Sequence, residues 1–276
     1  GYVRYILPNS SAASKDIKRG MIFNTINGTQ LTDSNYRNLL FSNSTNLNVG
    51  FADYNNDNPI SNDVFTTLSK EEIARIGQKA EHTFAGVNCG IMDQFASVMS
   101  KESHVILLDC QSLDYEYIPI QIKPYKIVLL NTNVSHNLAD GEYNKRRKTC
   151  EQGVAIIQKK YPNVKSLRDV TTDMLAEYKN KLSEEMFNRC SYVIEEKTRV
   201  LDTVEALKNN QLKVMGENMY KTHSGLQNLY EVSCPELDYL VDFSKNFNEV
   251  IGSRMMGGGF GGCTINIVHE NTVKNF

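Results

Sequence analysis

Residues 86–95 read Gly-Val-Asn-Cys-Gly-Ile-Met-Asp-Gln-Phe, and they mark the place where the chain leaves one helix and starts the next. Gly86 and Gly90 interrupt the helical pattern, and the apolar spacing resumes at Met92. Asp93 therefore lies in the first turn of the second helix, where the positive end of the helix dipole favours a carboxylate. A carboxylate held there can orient a substrate hydroxyl or accept its proton. It can equally be a first-turn acid with no further role, and the local pattern leaves both interpretations open.

The segment before this stretch predicts an amphipathic helix with a defined start. Ser69 followed by Glu72 has the spacing of a capping box, in which a serine hydroxyl and a glutamate carboxylate each accept a backbone N–H. Glu81 and His82 fall in the last turn of this helix. Its apolar residues recur at helical spacing: Ile73, Ile76, Ala80 and Phe84.

The remaining patterns predict an α+β protein with a strand-rich first part and a helix-rich second part. Residues 21–31, centred on Asn27-Gly28, predict a β-hairpin, whereas residues 39–59 are rich in turn-forming types and predict a poorly ordered connection. Further strands are predicted at residues 104–109, 115–122, 126–131 and 264–268, the third of them buried. Helices are predicted at residues 140–160, 172–178, 189–208, 212–229 and 234–246.

The change from strand-rich to helix-rich sequence near residues 134–140 predicts a domain junction there. It gives an N-terminal α+β lobe, residues 1–134, and a C-terminal helix-rich lobe, residues 135–276. Residues 1–63 are atypical within the first lobe because they are crowded with Asn, Ser and Thr.

Composition and charge argue against several classes of function. The 276 residues carry a net charge of −2, which does not suggest a nucleic-acid surface, and the one dense basic run, residues 145–148, is typical of a solvated helix face. No apolar stretch approaches the roughly 20 residues that span a bilayer. No signal peptide is visible, although a chain that begins at Gly1 without methionine leaves a lost leader open.

The cysteines and histidines do not form a metal-binding or disulfide pattern. The six cysteines are widely spread and include no Cys-x-x-Cys pair, which favours reduced thiols in a cytoplasmic enzyme. The five histidines have no ligand spacing, so each is interpreted as a surface or core residue.

Residues 257–262 read Gly-Gly-Gly-Phe-Gly-Gly and match the pattern Gly-x-Gly-x-x-Gly. A dinucleotide-binding fingerprint must follow a strand and open a helix, whereas a β-type run comes directly after this segment. It is not a P-loop either, because no Gly-Lys-Ser/Thr follows. Its backbone N–H groups can form a concave anion site, and the alternative is a tight turn that needs positive φ angles.

Three segments together resemble the galactokinases, members of the GHMP family of small-molecule kinases. The first is residues 86–95, the second is residues 141–147 with Cys150-Glu151, and the third is residues 252–263. They occur in the order found in that family, and the resemblance extends from about Leu68 to about Val268. A string such as residues 89–95 is far more specific than a scattered glycine pattern.

The resemblance implies a two-lobed α+β fold of the GHMP kinase type. Its N-terminal lobe would resemble domain 2 of ribosomal protein S5, its C-terminal lobe would have ferredoxin-like packing, and the active site would lie between them. The implied reaction is transfer of the γ-phosphoryl group of ATP to O1 of galactose, with Mg²⁺ as the metal. The expected partners are galactose and a nucleotide, with no nucleic acid and no membrane, and the protein is expected to be a cytoplasmic monomer.

The resemblance also implies roles for individual residues. Asp93 matches the catalytic aspartate, which engages the C1 hydroxyl of galactose as a base or as an electrostatic anchor, and Glu81 matches the acid that holds Mg²⁺. Magnesium takes one or two carboxylates together with phosphate oxygens, so one protein acid is chemically adequate. The expected sugar contacts are Cys89, Gly90, Asp93 and Tyr143. The expected phosphate loop consists of Gly257, Gly258, Gly259 and Gly261.

Residues 1–63 depart from the family pattern, so the N-terminal lobe is expected to be incomplete. Galactokinases open with a segment that supplies a catalytic arginine, and residues 48–55 resemble it only faintly, without the arginine. Their Gly-Leu-Ser-Ser-Ser-Ala phosphate loop is missing, and residues 10–13 are a weak counterpart in the wrong order. These departures leave three functions open: a galactokinase, a catalytically impaired galactokinase-like sugar-binding protein or fragment, and an N-acetylgalactosamine kinase.

Overall fold

The computed structural model describes residues 21–26, 29–30, 46–53, 64–134 and 141–276, and its side chains are described from Leu68 onward except at residues 84, 85 and 135–140. The described elements are helices and antiparallel strands, which confirms the α+β class. The chain divides into two compact units, Gly1–Tyr117 and Ile118–Phe276. This division falls before the junction expected at residues 134–140, and the lobe boundary given by the sequence stays a prediction.

The first unit begins with a four-stranded antiparallel sheet in the order β2-β1-β3-β4. Its strands are β1 (Met21–Ile26), β2 (Thr29–Gln30), β3 (Asn46–Asp53) and β4 (Val64–Ser69). Because β1 pairs antiparallel with β2, the predicted hairpin is confirmed in its strands, while its turn residues Asn27 and Gly28 lie outside the described residues.

The prediction of a poorly ordered connection at residues 39–59 is wrong for its central part. β3 occupies residues 46–53 and pairs with β1 on one side and with β4 on the other. Leu47, Val49 and Phe51 alternate along this strand, a period-two pattern that the surrounding Asn and Ser residues obscured. Strand formation depends on pairing partners more than on local propensity, so composition alone gave the wrong answer here.

Among the described residues, two helices and a hairpin follow this sheet in the chain. Helix α1 (Lys70–Ala80) runs into a wider π-type turn (Glu81–Ala85), and helix α2 (Met92–Met99) follows after a loop. The helix predicted through Phe84 is therefore confirmed, with its last turn wound as a π-helix instead of an α-helix. The strands predicted at residues 104–109 and 115–122 are confirmed as β5 (His104–Leu108) and β6 (Tyr115–Pro119), which pair with each other. The buried core contains Ala74, Ile91, Phe95, Val98, Met99 and Leu113.

The capping box at the start of α1 is confirmed. The Ser69 hydroxyl accepts the Glu72 N–H at 3.2 Å, and the Glu72 carboxylate accepts the Ser69 N–H at 2.8 Å. Each of these donors would otherwise lack a partner at the helix start.

Ser69→Ala is expected to lower the free energy of unfolding by about 1 kcal/mol, because the variant loses the acceptor of the Glu72 N–H. Urea denaturation followed by far-ultraviolet circular dichroism measures the change. Ser100→Ala is the matched control. Ser100 is the C-cap residue of α2, and its capping bond to the Ala96 carbonyl uses its backbone N–H, which the substitution retains. The control should stay within about 0.5 kcal/mol of the wild-type chain, and equal losses in the two variants would contradict the capping role.

The second unit combines a three-stranded antiparallel sheet in the order β7-β9-β8 with five α-helices among its described residues. The strands are β7 (Tyr125–Asn131), β8 (Val250–Met255) and β9 (Cys263–His269). The helices are α3 (Glu142–Gln158), α4 (Thr172–Ala176), α5 (Glu184–Lys208), α6 (Leu212–Asn228) and α7 (Pro235–Ser244). All five helices were predicted, whereas β8 was not.

The prediction of a buried strand at residues 126–131 is right about the strand and wrong about its burial. β7 lies at the edge of its sheet, and the side chains of Ile127 and Leu129 are 52% and 53% exposed. A short apolar run indicates a strand but does not identify its neighbours, so the position in the sheet could not be read from the pattern.

Within the described ranges, no helix is both long enough and apolar enough to cross a bilayer.

Candidate functional site

The loop between α1 and α2 is folded back on itself at two points. Gly86 has a left-handed φ of 69° and ends the π-type turn. The Val87 N–H donates to the carbonyl of Glu81 at 3.3 Å, and the Cys89 N–H donates to the carbonyl of Val87 at 2.8 Å. The backbone of residues 86–90 is therefore held close to the end of the preceding helix.

Two side chains of the preceding helical segment hold the carbonyl of Cys89. Gln78 Nε2 donates to this oxygen at 3.2 Å, and His82 Nε2 lies 2.8 Å from it. The sequence did not assign a role to either residue, although their i, i+4 spacing places both on one helix face. They fix the loop immediately before Gly90 and α2.

Asp93 lies in the first turn of α2, as predicted, and its side chain is exposed. The Ser97 hydroxyl donates to the Asp93 carbonyl at 2.7 Å, which leaves the carboxylate outside this bond. Phe95, two residues later, is fully buried and anchors the helix in the core of the unit. The carboxylate therefore stands on a fixed helix end, next to the exposed Gly90, and is accessible to a ligand.

The pKa of the Cys89 thiol is affected by Glu81 and Asp93, the two carboxylates of this unit with predicted roles. Burial raises the pKa of Cys89 above its usual 9.0, and the charges of Glu81 and Asp93 raise it further, against the lowering effect of Gln94. The thiol is therefore protonated at neutral pH, which suits a residue that packs against a ligand and not a nucleophile. Glu81, Cys89, Gly90 and Asp93 all lie in the first unit.

Glu81 is exposed and is the first residue of the π-type turn. Among the described residues there is no group of three or more histidine, cysteine, aspartate or glutamate side chains that could hold a metal ion. A single accessible carboxylate does not form a metal cage of its own. It fits Mg²⁺ whose other ligands are phosphate oxygens and water, which is the common arrangement for this ion.

The glycine-rich segment in the second unit connects β8 to β9. Gly257, Gly259 and Gly261 have φ angles of 76°, 86° and 146°, whereas Gly258 is not in the positive-φ region. Only glycine fits at residue 259, because a Cβ atom there would lie 2.0 Å from the carbonyl oxygen of Val232.

Neighbouring segments use part of the loop's backbone. The Phe260 N–H donates to the Val232 carbonyl at 2.7 Å, and the Gly262 N–H donates to the Val134 carbonyl at 3.4 Å. Thr132 donates to the Gly262 carbonyl from its backbone at 2.9 Å and from its hydroxyl at 2.8 Å. The loop is thus fixed from two sides, and an anion would have to bind to its other N–H groups.

Tyr143 lies in the first turn of α3 and is partly buried. The same helix carries the basic run, residues 145–148, and the prediction of a solvated face is wrong for one of its members. Arg146 is 8% exposed, whereas the other three residues have exposed or partly exposed side chains. A helix turns by about 100° per residue, so four consecutive residues of a helix that packs against the protein include one that faces inward.

The second unit also contains a cavity that the sequence did not indicate. It has a volume of about 360 Å³ and lies between the end of β7 and the start of α7. Its lining residues are Asn131, Thr132, Pro235, Glu236, Tyr239 and Leu240. Because Thr132 bonds to Gly262, the cavity adjoins the end of the glycine loop.

A buried histidine supports the strand that enters the glycine loop. His223 on α6 is 4% exposed, and its Nδ1 accepts the Met255 N–H at 3.3 Å. Its Nε2 lies 3.3 Å from a carboxylate oxygen of Asp238, which also accepts the Ser233 hydroxyl at 2.5 Å. The prediction that this residue belongs to the surface or the core is confirmed, since its side chain is buried.

The neutral form of His223 is expected to make folding pH-dependent. Burial lowers the pKa of His223 below its usual 6.5, Asp238 and Asp242 raise it, and Lys245 lowers it, with a net decrease. The unfolded chain takes up a proton below about pH 6.5, while the folded chain takes it up only at lower pH. The stability present above about pH 6.5 should therefore be lost as the pH falls towards the lowered pKa.

Urea midpoints measured between about pH 7.5 and about pH 5.5 test this prediction. His223→Gln should be destabilised at neutral pH but should lose less stability on acidification than the wild-type chain. Met215→Ala, a buried substitution on the same helix, should be destabilised with the wild-type pH dependence. An unchanged slope in His223→Gln would show that this histidine does not contribute.

Comparisons with known proteins match the chain to one family in both units. The family descriptions "GHMP kinases N terminal domain" and "GHMP kinases C terminal" match residues 60–101 and 203–276. The chain is 45% identical over 208 residues to a galactokinase of Thermosipho africanus, which covers 75% of this chain and 57% of that relative. It is 43% identical over 210 residues to a galactokinase of Clostridium perfringens, covering 76% and 54% respectively.

A solved structure shows the same similarity in three dimensions. The crystal structure of Lactococcus lactis galactokinase complexed with galactose is similar to 75% of this chain with a TM-score of 0.71 and 31% identity. The match covers 54% of that protein. The chain therefore spans about half the length of the curated relatives it matches.

Proposed function

Because the chain belongs to the GHMP kinase family and has the fold of that family, we propose that it is a galactokinase, which transfers the γ-phosphoryl group of ATP to O1 of galactose. The observation that carries the proposal is the accessible carboxylate of Asp93, fixed at the start of α2 in the segment by which the chain resembles galactokinases. The similarity to a galactokinase crystallised with galactose supports the choice of sugar.

In this proposal the residues of the first unit act on the sugar and on the metal. Asp93 holds or accepts the proton of the C1 hydroxyl, and Cys89 and Gly90 line the sugar pocket beside it. Glu81 holds Mg²⁺, which neutralises charge that develops on the transferring phosphoryl group. The charges of Glu81 and Asp93 both raise the pKa of Cys89, which supports a common site for these residues.

In the second unit, Tyr143 contacts the sugar with a side chain that can both pack and hydrogen-bond. Gly257, Gly258, Gly259 and Gly261 border the nucleotide phosphates. The positive φ angles of three of these glycines support a backbone that can approach an anion closely.

The proposed partners are galactose and ATP with Mg²⁺. The protein is proposed to be a monomer in the cytoplasm. A net charge of −2 supports the absence of a nucleic-acid partner, because nucleic-acid-binding surfaces are strongly basic.

A coupled assay that follows ADP release from galactose, ATP and Mg²⁺ tests the proposal, with a chelator of divalent cations as the control. The expected result is turnover that requires both the sugar and the metal. The departures in residues 1–63 favour a second function, a galactokinase-like protein that binds sugar without turnover. Galactose binding by calorimetry together with turnover no faster than the enzyme-free blank would select this second function.

The same assay with N-acetylgalactosamine separates the two kinase assignments. A galactokinase should have the higher kcat/KM with galactose. The reverse order would assign the chain to the N-acetylgalactosamine kinases.

A further inference from the structure

Arg146, the buried member of the basic run on α3, contacts two other parts of the second unit and the preceding turn of its own helix. Its Nη2 donates to the carbonyl of Glu231 at 2.6 Å, and its Nε donates to the carbonyl of Tyr230 at 3.4 Å. Its Nη1 pairs with Glu142, one turn earlier on the same helix. The guanidinium carbon lies 5.2 Å from the centre of the Phe260 ring, within the range of a cation–π interaction.

The segment that Arg146 holds is the one against which the glycine loop is built. The Phe260 N–H donates to the Val232 carbonyl at 2.7 Å, and Gly259 approaches the same carbonyl so closely that no Cβ atom fits. Phe260 itself has a φ of 61°, a left-handed conformation that is strained for a bulky residue. Such a conformation persists only where the surroundings enforce it, and here its ring contacts Arg146 while its N–H contacts Val232.

A second buried arginine fixes the same segment through a side chain. Arg189 is 4% exposed, and its Nη2 donates to the Glu231 carboxylate at 3.1 Å. Its Nη1 donates to the Thr149 hydroxyl on α3 at 2.9 Å. Glu231, which also has a left-handed φ of 56°, is therefore held by its backbone through Arg146 and by its side chain through Arg189.

We propose that Arg146 is a positioning residue for phosphoryl transfer, which keeps the glycine loop in its phosphate-accepting conformation by fixing residues 230–232 and the Phe260 ring. This role rests on the function proposed above. Arginine suits it because its planar fork donates in several directions while its face lies on an aromatic ring. Lysine retains the charge but cannot make the same set of contacts.

The direct test measures amide hydrogen exchange in the glycine loop by mass spectrometry. In Arg146→Lys, peptides covering residues 256–263 should exchange about tenfold faster, because hydrogen bonds from a charged donor are lost. Arg147→Lys is the matched control, since the neighbouring Arg147 is 51% exposed and pairs with Glu151 at 2.9 Å. The control should change exchange by less than about twofold. Unchanged loop exchange in Arg146→Lys, or an equal change in both variants, would overturn the proposal.

A double-mutant cycle with Phe260→Leu distinguishes positioning from a general structural role. Phe260→Leu removes the ring that Arg146 contacts, so it should also accelerate loop exchange. It leaves the hydrogen-bond partners of Arg146 in place. If Arg146 acts on the loop through this ring, Arg146→Lys should have a smaller effect in the Phe260→Leu variant than in the wild-type chain. Strict additivity of the two substitutions would contradict the proposed contact.

Kinetics provides a readout that general destabilisation would not give. Arg146→Lys should lower kcat about tenfold and leave the KM for galactose unchanged, because the loop borders the phosphates. A change confined to the KM for galactose would overturn the role. If the wild-type chain shows no turnover, the proposed function fails, while the exchange results still decide whether Arg146 positions the loop.

Discussion

Asp93→Asn is expected to lower kcat for phosphoryl transfer to galactose by about 10²- to 10⁴-fold, the range typical of a lost general base. The substitution keeps the size of the side chain and removes its charge and its ability to accept a proton. The Ser97 bond goes to the backbone carbonyl of residue 93, so the substitution leaves it in place. Because the side chain is exposed, the free energy of unfolding should change by no more than about 1 kcal/mol, the helix-dipole contribution of a first-turn acid.

Asp173→Asn is the control for the alternative that Asp93 is only a first-turn acid. Asp173 occupies the equivalent position in α4, where it is also exposed. Its substitution should have a similar effect on stability and should leave kcat unchanged. Steady-state kinetics and urea denaturation of the two variants separate these effects, and nearly wild-type kcat in Asp93→Asn would remove the catalytic role.

Gly259→Ala is expected to destabilise the second unit strongly. The residue has a φ of 86°, which costs about 1 to 2 kcal/mol for a residue with a Cβ atom. That atom would also lie 2.0 Å from the Val232 carbonyl oxygen, a backbone group that cannot move without disturbing residues 230–232. We expect a total loss of roughly 3 kcal/mol or more in the free energy of unfolding, together with a fall in kcat.

Gly257→Ala measures the backbone part of this loss, so the difference between the two variants gives the steric part. Gly257 has a φ of 76°, but no atom lies within 4 Å of a Cβ built there. This variant should therefore lose only the about 1 to 2 kcal/mol that comes from its backbone conformation. Urea denaturation of the two variants gives the difference directly, and equal losses would show that Gly259 does not need its close contact with Val232.

The apolar spacing and the end signals of the sequence were sufficient to predict most of the elements. The Ser69–Glu72 capping box and the glycine break before α2 act over three to five residues, so they can be read locally, and both are present as predicted. The strand β3 was missed because its stability comes from two neighbouring strands and not from its own composition.

The residues of the candidate site likewise divide into those that the sequence identified and those that it did not. Asp93 and Glu81 could be found because they belong to a short, specific string whose resemblance carries their roles. Gln78, His82 and Arg146 could not, because each of them matters through the carbonyl group that it holds. For Arg146 those carbonyls lie 84 and 85 residues away in the chain.

The sequence by itself determined the α+β class, the order of the helices and the resemblance of the segment around Asp93 to galactokinases. These depend on residue types at short spacing. Only the tertiary structure decided which member of the basic run is buried, which strand lies at the sheet edge, and which backbone carbonyl excludes a side chain at Gly259. Those features depend on contacts between distant segments, and a local pattern contains no record of which segments will meet.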